Sequence, residues 1–258
     1  MHRLLPLLLV FLPLLAPSAR AEIPTSLQTA LEKLSEGQNR WAYTETKTNF
    51  NPDGSVKDET IIRIDPSKPY PEQSIPVKIC GRAPTEKDFK KHRESGEKKA
   101  DALERAERTG NLPPSRPTLG QQLDLEKTTL SAEDEHTATY LVPLKKTDRQ
   151  RFPPEKFEVF IRINKQAEAV EAVSLKLKSA LRAKLIAKIK EGHATISFTQ
   201  ITPEFPPTMT NMEAQASASV LFKSINQNFS VKRTDVRRVK PYDERFEVKL
   251  GPAQAIDF

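Results

Sequence analysis

Apolar residues fall at every second position through much of the C-terminal half of the chain. Phe157, Val159, Ile161 and Ile163 alternate with Glu158, Phe160 and Arg162; Val173, Leu175 and Leu177 alternate with Ser174, Lys176 and Lys178. A period of two turns one face of a strand to a core and the other to water. The stretch 155–239 therefore predicts a series of antiparallel strands joined by short turns. They are expected at 157–163, 169–177, 195–201, 209–223 and 229–239, with turns at Gly192-His193 and Asn226-Gln227-Asn228. Residues 179–190 fit two patterns. Leu181, Leu185 and Ile189 have helical spacing, whereas Ala183, Leu185, Ala187 and Ile189 alternate as in a strand; strands on both sides favour the second. The strand at 209–223 carries small residues in its middle (Ala214, Ala216, Ser217, Ala218), which suits strong curvature or a close neighbour.

The N-terminal half opens with a different period. Leu27, Ala30, Leu31 and Leu34 follow the i, i+3, i+4, i+7 spacing of a one-sided helix over 24–35. Thr25 or Ser26 is the expected cap, and Gly37 the expected left-handed residue beyond its end. A hairpin follows, with strands at 41–50 and 59–64 around Asn51-Pro52-Asp53-Gly54. There, proline presets φ and Asp-Gly supplies the positive-φ position. Pro66, Pro69 and Pro71 make 65–72 an irregular connection, and 75–80 reads as a short strand closed by Gly81.

The segment 86–117 breaks the β pattern. Thr85 and Asp88 resemble a capping box, and 87–108 is so heavily charged that it predicts a solvated helical projection, with Gly96 as a break point. Pro113, Pro114 and Pro117 make a loop of its end. A second hairpin is expected from 119–130 and 137–144, and one more strand at 246–250. The fold class is mainly β with α: a curved antiparallel sheet or incomplete β-barrel, with the N-terminal helix against it and a charged helical excursion.

The first 21 residues change the picture of where the chain works. Met1-His2-Arg3 is basic, 4–15 is apolar but for Pro6 and Pro13, and Ala19-Arg20-Ala21 is an A-x-A site. This is the three-part pattern of a secretory signal peptide, too short and proline-broken for a membrane span. Cleavage after Ala21 would leave 237 of the 258 residues and lower the formal charge from +7 to +5, because Arg3 and Arg20 depart. The expected organisation is a signal peptide (1–21), one β-rich domain (22–239) containing the excursion 86–117, and a polar tail (240–258). No span remains in the mature chain. Cys80 is the only cysteine, so no internal disulfide forms, which suits a bacterial periplasmic protein.

The candidate chemistry is sparse. G-x-S-x-G, G-x-G-x-x-G, Walker, H-E-x-x-H and C-x-x-C motifs are all missing from the sequence. Eight glycines in 258 residues leave little for phosphate-cradling loops. Glu133-Asp134-Glu135-His136 could ligate a metal, but consecutive residues rarely converge on one ion, and acidic turns are usually just solvated. Cys80 with Arg82 beside it could be a nucleophile, though a half-buried strand cysteine more often simply packs. No catalytic residue, metal or cofactor is expected, and no nucleic-acid partner: no basic-aromatic motif accompanies the mixed charge.

An export signal before a leucine-striped helix, strands beginning at Trp41, Ile79-Cys80-Gly81-Arg82-Ala83-Pro84-Thr85 feeding a polar helix, and a meander ending at 229–239 together resemble a known family. It is the bacterial periplasmic lipoprotein-carrier and lipoprotein-sorting superfamily. The resemblance implies an incomplete antiparallel barrel with helices over its mouth, and a lipid or lipoprotein acyl chain as ligand. The strand residues expected to line such a cleft are Phe157, Val159, Ile161, Val173 and Leu175. The other reading of function is an envelope interaction protein, binding a protein partner through its charged helix and tail.

Overall fold

The computed structural model describes residues 23–111, 117–147, 153–183, 187–220 and 223–245. The signal peptide expected at 1–21 and the strand expected at 246–250 lie outside them. Among the described residues, eleven strands form one antiparallel sheet: β1 (Trp41–Phe50), β2 (Val56–Ile64), β3 (Ser74–Lys78), β4 (Thr129–Glu133), β5 (Thr137–Leu141), β6 (Phe157–Asn164), β7 (Ala169–Leu177), β8 (Leu181–Ala183), β9 (Ala187–Thr199), β10 (Thr208–Val220) and β11 (Lys223–Arg238). Their order is β3-β2-β1-β11-β10-β9-β7-β6-β5-β4, with β8 paired to β9. The sheet is open: β3 and β4 are its two ends, and they do not pair with each other. The β1–β11 pairing joins the N-terminal hairpin to the end of the meander across almost the whole length of β1.

Helix α1 (Thr25–Ser35) lies on one face of this sheet, here called the inner face. Leu27, Ala30, Leu31 and Leu34 are all buried, packed in one core with Val159, Ile161, Ile163, Val170 and Val173. Each fully buried leucine contributes about 1.5–3 kcal/mol relative to an exposed one. This packing, rather than an end cap, holds the helix. Pro24 occupies the N-cap and no side chain caps it, so the expected Thr25 or Ser26 cap is not formed. Gly37 does adopt the left-handed conformation, at φ 60°.

Several local expectations give way to pairing. Gly192 and His193 do not turn the chain: β9 runs straight through them, with Gly192 opposite Ala216 and His193 opposite Gln215. Asn226-Gln227-Asn228 likewise lies within β11, opposite Ser217, Ala216 and Gln215. The real reversal comes earlier, between the paired Val220 and Lys223. Turn preference at Gly and Asn is a weak local bias, and the long ladder on either side overrides it. The span 119–130 is mostly not a strand. Thr118 opens a short helix α3 (Leu119–Gln122), its Oγ1 accepting from the Gln121 amide at 3.3 Å while Gln121 Oε1 accepts from the Thr118 amide at 2.9 Å. The paired strand of that hairpin begins only at Thr129.

The charged excursion is helix α2 (Glu86–Thr109), opened as expected by Asp88, whose Oδ2 accepts from the Thr85 amide and hydroxyl, both at 2.8 Å. Gly96 does not break it. The helix is anchored along one side: His92 Nδ1 lies 2.8 Å from Ser74 Oγ, and Lys99 Nζ stands 4.6 Å over the Tyr70 ring. Ser74 pairs with Ile64, which pairs with Tyr43, so these three share a sheet face.

Candidate functional site: an apolar cleft on the inner face

Antiparallel register assigns each row of side chains to one face. Val159 faces Leu175, Leu175 faces Ala194, Ala194 faces Ala214, and Ala214 faces Phe229. This row belongs to the face that α1 covers. The helix covers only part of it. Where α1 ends its contact, Phe157, Leu175, Leu177, Leu181, Ile189 and Phe229 surround a cleft of about 340 Å³. Ala194, Ala214, Ala216 and Gly192 also line it. Their small side chains keep that part of the lining low, which is what the run of small residues in β10 does here. A Cβ on Gly192 would meet the Leu177 Cβ at 4.0 Å, an ordinary contact, so the glycine is not demanded by crowding. The volume lies at the small end of the range for ligand pockets. Leu175 remains 36% exposed inside a predominantly apolar hollow.

The five residues expected to line a cleft divide between two places. Phe157 and Leu175 line it. Val159, Ile161 and Val173 are in the core beneath α1, at 3%, 0% and 8% exposure. All five point to the same face, but the helix consumes the middle of the strands. Leu177, Leu181, Ile189, Ala194, Ala214, Ala216 and Phe229 were not anticipated. Leu177 continues the visible alternation; the others needed the pairing of β7 to β9, and of β9 through β10 to β11.

Beyond Phe229 the same face carries the buried Val231 and then a polar cluster. Arg233 Nε donates to Glu45 Oε2 at 3.1 Å, and its guanidinium lies 4.0 Å over the Tyr43 ring. Burial pushes the Tyr43 hydroxyl above its ordinary pKa, partly opposed by the Arg233 cation. Lys47 Nζ stands 5.1 Å over the Phe229 ring, at the border between the two zones. On the opposite face, Glu191, His193, Gln215, Ser217 and Asn228 line a second, polar groove of about 290 Å³.

The other chemical candidates sit in turns. Cys80 is exposed, in a turn with φ 47°, rather than half-buried in a strand as expected. Arg82 is not directed at it: its Nη1 donates to Asp88 Oδ2 at 2.8 Å and to the Ala83 carbonyl at 2.9 Å. Those donors at the start of α2, Arg82 foremost, hold the Asp88 carboxyl far below its usual range. Asp134 accepts from the amides of His136 and Thr137 and from the Thr137 hydroxyl, at 2.8, 2.7 and 2.8 Å. Its carboxylate is thus occupied in closing the β4–β5 turn, and those bonds depress its pKa. Among the described residues, no group of three or more potential ligands could hold a metal.

No family model matches the chain, and no curated protein matches it significantly. Among solved structures it is similar to a LolA superfamily protein from Nitrosomonas europaea. The two share 11% identity over 87% of this chain and 96% of that one, with a TM-score of 0.38. At that level the likeness assigns no residue and no function. None of the described helices is long and apolar enough to cross a membrane.

Proposed function

We propose that this protein is an exported, non-enzymatic binding protein that shelters an acyl chain of a lipid or lipoprotein in the inner-face cleft. One observation carries the reading: an apolar hollow lined by Phe157, Leu175, Leu177, Leu181, Ile189 and Phe229 that no element among the described residues fills. Each CH₂ moved there from water is worth about 0.8 kcal/mol. A chain of about ten methylenes would therefore gain about 8 kcal/mol to set against the cost of association. The signal-like pattern of 1–21 supports export to a bacterial periplasm.

Native mass spectrometry of the protein, purified without detergent from its host's periplasm, tests the reading. A co-purifying lipid or acylated peptide supports it and identifies the cargo. A bare mass, together with no uptake of added dodecyl-chain ligands, overturns it.

A second reading is favoured by α2. Across its 24 residues only Ala106 is buried, and Phe89 remains 36% exposed on an otherwise charged surface. That is how a helix presented to a protein partner in the envelope would look. Reversing several exposed α2 charges should then abolish partner capture and leave lipid content unchanged.

A further inference from the structure

The acyl-chain reading leaves the head group of the ligand open, and the border of the cleft bears on it. Lys47 lies on β1 opposite Val231 of β11, while Phe229, two residues away on β11, pairs with Asn49. Phe229 lines the cleft, and the Lys47 ammonium stands 5.1 Å over its ring. The neighbouring charges on this face are already engaged. Glu45 is bonded to Arg233 at 3.1 Å, and Asp58 accepts from Asn49 Nδ2 at 2.6 Å. Lys47 is exposed and makes no ion pair with any described carboxylate.

We propose that Lys47 binds the anionic head group of the ligand, so that the cleft selects single-chain amphiphiles ending in a carboxylate or phosphate. This rests on the acyl-chain reading. A chain lying along Leu175, Ala214 and Phe229 would bring its polar end out beside the Phe229 ring, within reach of a lysine side chain. The ring holds the ammonium at that border while the cleft is empty, because its negative face attracts a cation. With apolar protein on one side, the ammonium attracts an anion more strongly than it would in open water.

The test compares three probes of equal chain length, dodecanoate, dodecyl phosphate and dodecanol. Each is titrated calorimetrically into the purified protein below its aggregation concentration. Both anions should bind about fivefold more tightly than dodecanol at low salt, the scale of one partly exposed ion pair. The preference should shrink as salt is raised. In Lys47→Met, which keeps an unbranched apolar stem over Phe229, the ratio of anion to alcohol affinity should fall to near one. Preference for only one of the two anions would support the proposal and tell a fatty acid from a phosphate head group. Equal binding of all three probes by the unmodified protein overturns the head-group proposal while sparing the cleft. So does a preference that survives in Lys47→Met. If no probe binds at all, the acyl-chain reading fails, and this proposal with it.

Discussion

Gly96 of α2 crosses the backbone of Tyr70 so closely that a Cβ on it would stand 2.1 Å from the Tyr70 carbonyl oxygen and 2.6 Å from the Pro71 Cα. In an exposed helix, Gly→Ala normally gains about 1 kcal/mol through helix propensity. Here the obstacle is backbone, which cannot rotate away. Gly96→Ala should therefore cost about 1–3 kcal/mol, the scale of overpacking, and loosen α2 from the 3₁₀ turn Tyr70–Glu72. Hydrogen exchange should quicken in α2 while β9–β11 keep their protection. Unchanged α2 exchange would show that the close crossing does not anchor the helix.

The same anchor should respond to pH. His92 lies against Ser74, and burial, reinforced by the charge of Lys91 and opposed by that of Asp88, lowers its pKa. A histidine depressed in the folded state binds fewer protons folded than unfolded. Its contribution therefore weakens as pH falls through the ordinary histidine value of about 6.5, and levels off below the folded value. Limited proteolysis within α2 should accelerate between pH 7.5 and 5.5. His92→Gln should flatten that dependence; if the dependence persists, another group is responsible.

Ala214 lines the cleft on β10, between Ala194 and Phe229. Ala214→Trp should occupy much of the hollow and weaken dodecanoate binding at least tenfold. Because the new ring enters an open cleft rather than a packed core, the urea midpoint should fall little or rise. A variant that still binds normally would place the chain elsewhere.

Trp41 is the only tryptophan, 1% exposed, edge-on to Phe205 with centroids 6.3 Å apart. The Arg238 guanidinium packs over both rings, at 5.3 Å from Trp41 and 4.0 Å from Phe205. Phe205→Ala should admit water to this corner, shift the Trp41 emission to longer wavelength and cost about 2 kcal/mol in urea unfolding. An unshifted emission would mean that Phe205 does not shield the indole.

Two kinds of expectation fared differently. The helix 25–35, the hairpin around Asn51-Pro52-Asp53-Gly54 and strands β6 and β7 were legible because hydrophobic period and turn chemistry agree there. Gly192-His193 and Asn226-Gln227-Asn228 misled because their turn preference is local, whereas the partners that straighten them, Ala216, Gln215 and Ser217, lie elsewhere in the chain. Gly96 invited a helix break for the same reason. Its purpose is a close crossing with Tyr70, and the residue itself carries no sign of that partner.

The amino-acid sequence by itself determined the class of the fold and the face each strand residue would take, because side chains alternate along a strand whatever it pairs with. It placed Phe157, Val159, Ile161, Val173 and Leu175 on one face correctly. Only the tertiary structure decided which of them became core and which became cleft. That division depends on how far α1 reaches across the sheet, and on β9 and β11 bringing Ile189, Ala194 and Phe229 beside β7. Neither is a property of any single strand. A cleft is the space left over when a helix covers part of a face, and it is set by contacts between residues more than a hundred positions apart in the chain.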